Sequence, residues 1–140
     1  MTPIPSFVLD SFAILAYLQE EFGTEHVGNL LTKANRKTIK LYMHEINVGE
    51  VYYILYRRYG EEVADHLYAQ IRSYPIEFIT DLSAQFLLTT ARLKGTYAIS
   101  SADAFAVATA QFKNAQLISG DPELKPLIED KVLQTSWPQK

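Results

Sequence analysis

Four carboxylates of this chain stand at positions where acidic side chains could meet. Asp10 directly follows a short apolar run, and Asp121 follows another. Asp103 falls in the first turn of a predicted helix, and Glu50 lies inside a long helical pattern. If the two apolar runs are neighbouring strands, Asp10 and Asp121 face one crevice at the carboxyl ends of those strands. The other two acids can reach the rim of that crevice.

Each acid also has an ordinary structural explanation. Asp10 and Asp121 suit helix N-caps, and a proline follows Asp121, as is common at the first position of a helix. Asp103 ends a Ser-x-x-Asp sequence, which is one form of the capping box. A helical glutamate such as Glu50 normally faces solvent, although its neighbours here are apolar or aromatic and Asn47 shares its helix face. No single acid decides the function.

Taken together, the four acids suit a hard cation. Carboxylates that lie within a few ångströms raise one another's pKa, and a bound cation removes that repulsion. The sequence has no cysteine, and its three histidines, His26, His44 and His66, are scattered away from the acids. Ligation by oxygen alone favours Mg²⁺ or Mn²⁺, which bind substrate phosphates and activate water. The predicted metal ligands are Asp10, Glu50, Asp103 and Asp121.

Hydrophobic periodicity predicts alternating strands and helices around these acids. The predicted strands are residues 7–9, 39–43, 76–79, 116–119 and 132–135. The predicted helices are residues 11–21, 24–34, 45–59, 61–72, 83–94 and 100–112, followed by a helical turn through 127. Gly23, Gly60 and Gly95 are expected to end helices. This alternation is typical of a three-layer α/β fold, with a central, mostly parallel sheet of about four to five strands flanked by helices.

Composition narrows the class of protein further. The 140 residues are expected to form one domain, residues 1–140, and 48% hydrophobic with 21% charged residues is ordinary for a globular protein. The absence of cysteine excludes disulfides, thiolate catalysis and cysteine zinc sites, and it suits the cytoplasm. The first residues lack a basic signal region, and Asp10 interrupts an apolar run that is too short to span a bilayer. We therefore expect a cytoplasmic protein without a membrane anchor.

The net charge of −3 gives no overall attraction to nucleic acid, so RNA binding would need a local basic patch or metal ions. One such patch has four basic residues in eight: Lys33, Arg36, Lys37 and Lys40. It suits either a solvated helix end or a surface that contacts phosphates.

Four segments carry a family resemblance. They read Val-Leu-Asp10-Ser-Phe-Ala-Ile-Leu-Ala-Tyr-Leu, Asn47-Val-Gly-Glu-Val-Tyr-Tyr-Ile-Leu, Ser101-Ala-Asp-Ala-Phe-Ala-Val-Ala-Thr-Ala and Leu-Ile-Ser119-Gly-Asp. In this order they closely resemble PIN-domain ribonucleases, particularly the VapC toxins of toxin–antitoxin pairs. The resemblance extends over nearly the whole chain.

The resemblance implies a metal-dependent endoribonuclease that cuts single-stranded or structured RNA. By position, Asp10, Glu50 and Asp103 would be the main ligands of Mg²⁺ or Mn²⁺, and Asp121 would be a fourth acid that lies further out or holds a second ion. A water molecule activated by the metal would attack the phosphodiester in line and leave a 5′-phosphate and a 3′-hydroxyl. The residues that would support this site are Ser11, Asn47 and Ser119.

The expected partners are RNA, a second copy of the chain and a small antitoxin. The candidate RNA-contacting cations are Lys33, Arg36, Lys37, Lys40, Arg57, Arg58 and Arg92. Five of the nine tyrosines fall in or just before the Glu50 helix, which leaves apolar surface for a homodimer or an antitoxin peptide to cover. Toxins of this family are usually dimers, and their antitoxins block the acidic pocket, sometimes with an arginine.

Three alternatives remain at this point. The chain could be a PIN-like module that binds RNA or protein without cutting, or a stand-alone RNA-processing nuclease. A phosphotransfer domain, such as a response-regulator receiver or a haloacid-dehalogenase-like phosphatase, also places an aspartate at a strand end. The phosphatase needs a second aspartate two residues later, where this chain has Phe12. The receiver needs an early acidic pair, a separate phosphoaccepting aspartate and a late lysine, and this set is not identifiable in the sequence. A glycine-rich phosphate loop is absent from the sequence.

Overall fold

The computed structural model describes residues 3–138, and these form one five-stranded sheet. Its strands are β1 (Ser6–Leu9), β2 (Lys40–His44), β3 (Glu77–Ile79), β4 (Gln116–Ile118) and β5 (Thr135–Ser136). Their order across the sheet is β3-β2-β1-β4-β5, and all four pairings are parallel. The carboxyl ends of the strands therefore meet at one edge of the sheet.

Helices cover both faces of this sheet. They are α1 (Ser11–Leu18), α2 (Thr24–Asn35), α3 (Glu45–Tyr59), α4 (Glu61–Arg72), α5 (Ala84–Thr96), α6 (Ser101–Lys113) and α7 (Lys125–Glu129), with a 3₁₀ turn at Pro122–Leu124. Successive strand residues point to opposite faces. Leu9 accordingly joins the core beneath α1 to α4, whereas Val8 joins the core beneath α5 to α7. This arrangement confirms the predicted three-layer α/β fold.

The position of β1 between β2 and β4 places the acids together. Phe7 pairs with Gln116 and Leu9 pairs with Ile118. After β1 the chain builds β2 and β3 on one side, and it then crosses back to build β4 and β5 on the other. The switch point, where open α/β sheets bind ligands, therefore lies between β1 and β4. This confirms the predicted neighbourhood of the two strands that precede Asp10 and Asp121.

Two helix ends differ from the predictions based on glycine. Helix α1 ends at Leu18, because Glu20 adopts a left-handed conformation (φ 54°) and the N–H of Glu21 bonds to the carbonyl of Ala16 at 2.8 Å. This is the hydrogen bond of a Schellman motif, which usually has glycine in the position of Glu20. Gly23 instead precedes α2.

Gly95 does not end α5, because its φ is not positive and the helix continues to Thr96.

The last predicted strand, residues 132–135, is shorter in the structure and begins later, where it forms β5. The expected domain of residues 1–140 includes residues 1, 2, 139 and 140, which lie outside the described residues. No helix within residues 3–138 has the length and apolar character needed to cross a membrane.

Candidate functional site

Asp10 lies at the carboxyl end of β1 and caps α1. Its Oδ1 accepts a hydrogen bond from the Ala13 N–H at 2.8 Å, and the side chain is only 2% exposed. Burial raises the pKa of Asp10 to about 7, and the charges of Asp121 and Glu50 act in the same direction. Hydrogen bonds from Ser119 and Ala13 oppose that rise. Asp10 is therefore both a helix cap and a carboxylate that is costly to leave charged without a partner.

Asp103 occupies the first turn of α6, and its backbone N–H donates to the Ser100 hydroxyl at 3.1 Å. Small residues in the sequence Ser-Ala-Asp-Ala-Phe-Ala allow α6 to pack closely on the sheet, which buries the Asp103 side chain to 8% exposure. That burial, followed by the charges of Asp121 and Asp10, raises the pKa of Asp103 to about 7. Mutual repulsion at this edge is therefore already present in the folded chain.

Asp121 caps the 3₁₀ turn that follows β4. Its Oδ1 accepts from the Glu123 N–H at 2.9 Å, and its own N–H donates to the Ser119 hydroxyl at 3.1 Å. One carboxylate oxygen from each of Asp103, Asp121 and Glu123 lies within 4.8 Å of the other two. Capping and clustering are therefore compatible roles for the same side chain.

Glu123 is an acid that the sequence prediction missed. It is exposed, and the tight turn after Asp121 brings it back toward Asp103. Its position two residues after Asp121 in a turn was the available signal. In the described part of the chain, Asp10 and Glu50 do not join a group of three acids at this spacing. Glu50, on α3, is half-buried, and its charge still acts on Asp10.

Asn47 connects the elements that carry the acids. Its buried side chain donates from Nδ2 to the Ala102 carbonyl at 3.0 Å and to the Ser11 hydroxyl at 3.4 Å. The Ser11 hydroxyl donates to the Asn47 carbonyl at 3.2 Å. These bonds tie α3 to the first turns of α1 and α6, next to Asp10 and Asp103. The predicted supporting positions thus lie at the acidic edge, which is the carboxyl edge of the sheet with Asp10, Asp103, Asp121 and Glu123.

This acidic edge fits a hard cation on the chemistry of its donors. Asp10 and Asp103 each have a pKa raised to about 7, and burial is the main cause. The Asn47 Oδ1 atom is buried and accepts no hydrogen bond from the described residues. A cation would relieve the repulsion and give oxygen ligands such as these a partner.

The seven predicted RNA-contacting cations are all exposed but lie in different places. Lys40 pairs with Ser6 at the amino end of β1, which is the sheet edge opposite the acids. Lys33, Arg36 and Lys37 belong to the segment that leads into this same opposite edge. Arg57 stacks over the Tyr53 ring at 5.8 Å, and Arg92 lies on α5. Arg58 lies at the acidic side of the molecule.

Arg58 lines a cleft of about 870 Å³ that adjoins the acids. Ser119 and Asp121 form one part of its wall, and Lys125 is a second cation on the lining. The sequence prediction did not include Lys125, whose position depends on the turn that follows Asp121. The acids are thus bordered by two cations, Arg58 and Lys125.

Several solved structures share this fold. VapBC2 from Rickettsia felis, bound to a DNA fragment from its promoter, is 18% identical with a TM-score of 0.71, over 95% of this chain and 99% of that chain. VapBC-1 from nontypeable Haemophilus influenzae is 17% identical with a TM-score of 0.65, over 94% and 96%. VapC20 from Mycobacterium tuberculosis, a toxin that cleaves the sarcin–ricin loop, is 18% identical with a TM-score of 0.64, over 86% and 93%.

No curated protein sequence gives a significant match to this chain. The family model of the PIN domain, in contrast, matches residues 7–127, which is most of the chain. The three solved structures agree with that match at the level of the fold. From its sequence match, supported by its fold and by the acids at its switch point, the chain belongs to the PIN-domain family.

Proposed function

We propose that this chain is a metal-dependent endoribonuclease and the toxin of a toxin–antitoxin pair. The observation that carries the proposal is the acidic edge of the sheet, where Asp103, Asp121 and Glu123 lie together beside the buried Asp10. The chain belongs to the PIN-domain family, and one protein of the same fold is a toxin that cleaves the sarcin–ricin loop. RNA is therefore the substrate that we assign to the site.

In this proposal, Asp10, Glu50 and Asp103 hold Mg²⁺ or Mn²⁺, and Asp121 with Glu123 extends the site. When bound, such a cation offsets charge on the phosphoryl oxygens and lowers the pKa of water. The Ala13 N–H and the Ser119 hydroxyl hold the Asp10 carboxylate in place. Because the pKa of Asp10 and that of Asp103 are raised to about 7, both carboxyls are partly protonated at neutral pH before a cation binds.

The chain's own cations would place the substrate. Arg58 and Lys125 border the acids and carry the positive charge that the phosphate backbone needs. The net charge of −3 makes such local charge necessary. Lys33, Arg36, Lys37, Lys40, Arg57 and Arg92 lie outside this cleft, so we do not assign them a contact with the nucleotide being cut.

The proposed protein partners are a cognate small antitoxin and a second copy of the chain. Helices α3 and α4 expose a set of large apolar side chains, each more than a third exposed: Tyr53, Tyr56, Tyr59, Val63 and Tyr68. An aromatic face of this kind is typical of an interaction surface. One structure of the same fold, from Klebsiella pneumoniae, is a toxin–antitoxin complex.

The proposal is tested by incubating the purified chain with cellular RNA in Mg²⁺ or Mn²⁺, in EDTA, and as the variant Asp10→Asn. We expect cleavage with either metal, and fragments with 5′-phosphate and 3′-hydroxyl ends. EDTA and Asp10→Asn should each abolish that cleavage. RNA binding without cleavage in every metal condition would instead identify a non-catalytic module.

A further inference from the structure

The cleft beside the acids, called here the aromatic cleft, is defined by Phe12, Trp137, Arg58, Lys125 and Asp121. It lies between α1, α3 and the turn after β4, and the segment that follows β5 closes it. Its volume of about 870 Å³ is within the range of roughly 300–1,000 Å³ that small-molecule sites occupy. The cleft therefore has room for a ligand of nucleotide size.

Two aromatic rings form a corner in this cleft. The centroids of Phe12 and Trp137 are 5.4 Å apart, and the ring planes meet at 77°. Phe12 is 39% exposed and follows Asp10 by two residues on the first turn of α1. Trp137 packs on Gly120, the residue before Asp121. Phe12 is therefore close in sequence to Asp10, and Trp137 contacts the residue that precedes Asp121.

The indole of Trp137 occupies space that two glycines, Gly23 and Gly120, leave open. A Cβ atom on Gly23 would lie 2.2 Å from Trp137 Cζ2, and one on Gly120 would lie 2.4 Å from Trp137 Nε1. Neither distance is possible for real atoms, so the ring is seated where only glycine leaves space for it. The Trp137 side of the aromatic corner is consequently packed closely against the rest of the fold.

Charged groups complete the cleft. Arg58 donates from Nη1 to the Gln19 side-chain carbonyl at 2.6 Å, and Gln19 donates from Nε2 to Glu21 at 3.0 Å. This chain of bonds holds the guanidinium of Arg58 at the cleft wall. Lys125 lies on the same lining. The acids of the lining are Glu21 and Asp121, and Asp121 belongs to the acidic edge.

We propose that the aromatic cleft binds one unpaired nucleotide of an RNA strand, next to the phosphodiester at the acidic edge. The base packs against Phe12 and Trp137, and the adjoining phosphate pairs with Arg58 or Lys125. Proteins recognise unpaired RNA through this combination of aromatic stacking and cationic contacts. The inference rests on the proposed ribonuclease function, because it places the nucleotide relative to the bond that is cut.

Trp137 is the single tryptophan of the chain, so its fluorescence reports binding directly. We expect short oligoadenylate to quench this fluorescence saturably in EDTA, where cleavage is not required. Polyphosphate, which carries charge without bases, should leave the emission nearly unchanged. Unchanged fluorescence with bound oligoadenylate, or an equal response to polyphosphate, would overturn the proposal.

Variants separate the aromatic contribution from general binding. Phe12→Ala should weaken oligoadenylate binding by about tenfold, as expected for loss of a base-stacking partner. Phe112→Ala removes a similarly exposed ring, at 42%, from the end of α6 far from Asp103, and should leave binding unchanged. An equal effect of these two substitutions would contradict the assignment of the cleft.

The cations give a second, independent measurement. Arg58→Ala and Lys125→Ala should each weaken oligoadenylate binding. Each should also reduce by about one the magnitude of the slope of log affinity against log salt concentration, whereas Lys33→Ala should have neither effect. An unchanged salt dependence in both cleft variants would overturn the phosphate contact. Metal-dependent cleavage without any of these effects would remove the nucleotide cleft and leave the proposed ribonuclease function standing. Quenching by oligoadenylate without any cleavage would instead remove the proposed ribonuclease function and leave nucleotide binding in the cleft standing.

Discussion

Asp10 and Asp103 each belong to a helix N-terminus as well as to the proposed metal site. Asp10 caps α1, and the Ser100 hydroxyl accepts a hydrogen bond from the backbone of Asp103. Burial raises the pKa of each carboxyl to about 7, so neither is fully ionised at neutral pH without a cation. The capping explanation and the metal-ligand explanation are therefore compatible at each residue.

The raised pKa of Asp10 predicts a pH dependence of stability in EDTA. Between pH 3.8, its ordinary pKa, and about pH 7, the folded chain binds a proton that the unfolded chain has released. The free energy of unfolding therefore falls as the pH rises through this window. A shift of this size corresponds to roughly 4 kcal/mol.

The variant Asp10→Asn cannot undergo this titration. Urea denaturation at a series of pH values should show wild type losing stability relative to Asp10→Asn from about pH 4 to about pH 7, with little further change above that. A difference between the two proteins that stays constant across this range would contradict the assignment of the shift to Asp10.

Metal binding should reverse the cost of ionising these acids. At a free concentration about one hundred times its dissociation constant, Mg²⁺ or Mn²⁺ should raise the free energy of unfolding by about 2.7 kcal/mol. The effect should be larger at pH 8 than at pH 5, because the ligands must lose their protons to bind the cation. Thermal melting with and without the metal measures it, and equal melting temperatures at pH 8 would contradict a cation site.

Glu123→Gln tests the acid that the sequence prediction missed. We expect the variant to reduce the metal-induced rise in melting temperature, because one carboxylate of the group formed with Asp103 and Asp121 is lost. Glu62→Gln is the matched control, since Glu62 is an exposed acid on α4. An identical response of the two variants to the metal would remove Glu123 from the proposed site.

At the scale of secondary-structure elements, local patterns predicted most of the fold. Helix α3, from Glu45 to Tyr59, and helix α4, from Glu61 to Arg72, agree with their predicted bounds because both have strong periodicity and Gly60 separates them. The predicted end of α1, at residue 21, was wrong because Glu20 takes a left-handed conformation that glycine normally adopts. A local sequence pattern does not reveal that choice.

Contacts between distant elements account for the features that the sequence did not predict. Trp137 reaches α1 and Gly120 only because β5 pairs beside β4, so the aromatic cleft has no local sequence signal. Lys125 likewise enters the cleft through the turn after Asp121. The four acids could be proposed from the sequence, because Asp10 and Asp121 follow apolar strand patterns whereas Glu50 and Asp103 lie in helical patterns.

Two glycine substitutions test how the C-terminal segment is seated. Gly23→Ala should lower the free energy of unfolding by more than about 1 kcal/mol, because Gly23 has φ +98° and its new Cβ would meet the Trp137 ring. Gly95→Ala should raise it by roughly 0.5–1 kcal/mol, since Gly95 is helical with open space around it. Urea denaturation measures both, and a Gly23→Ala variant as stable as wild type would contradict the packing of Trp137.

For the whole molecule, the exposed aromatic face of α3 and α4 predicts self-association when no antitoxin is present. Light scattering should give about twice the chain mass of 15.9 kDa. Tyr56→Glu, at 49% exposure, should return the chain to a monomer, whereas Leu88→Glu, at 53% exposure on α5, should not. A monomeric wild type would contradict the predicted self-association, and a dimer sensitive only to Leu88→Glu would place the interface on another surface.

In the proposed function, the acids at the switch point cut RNA. The rate of RNA cleavage by wild type, Asp103→Asn and Glu62→Gln in one Mg²⁺ or Mn²⁺ buffer tests this directly. We predict that Asp103→Asn lowers the rate by more than the roughly hundredfold that loss of an outer metal partner costs, whereas Glu62→Gln retains the wild-type rate. Cleavage by Asp103→Asn at the wild-type rate would contradict the claim.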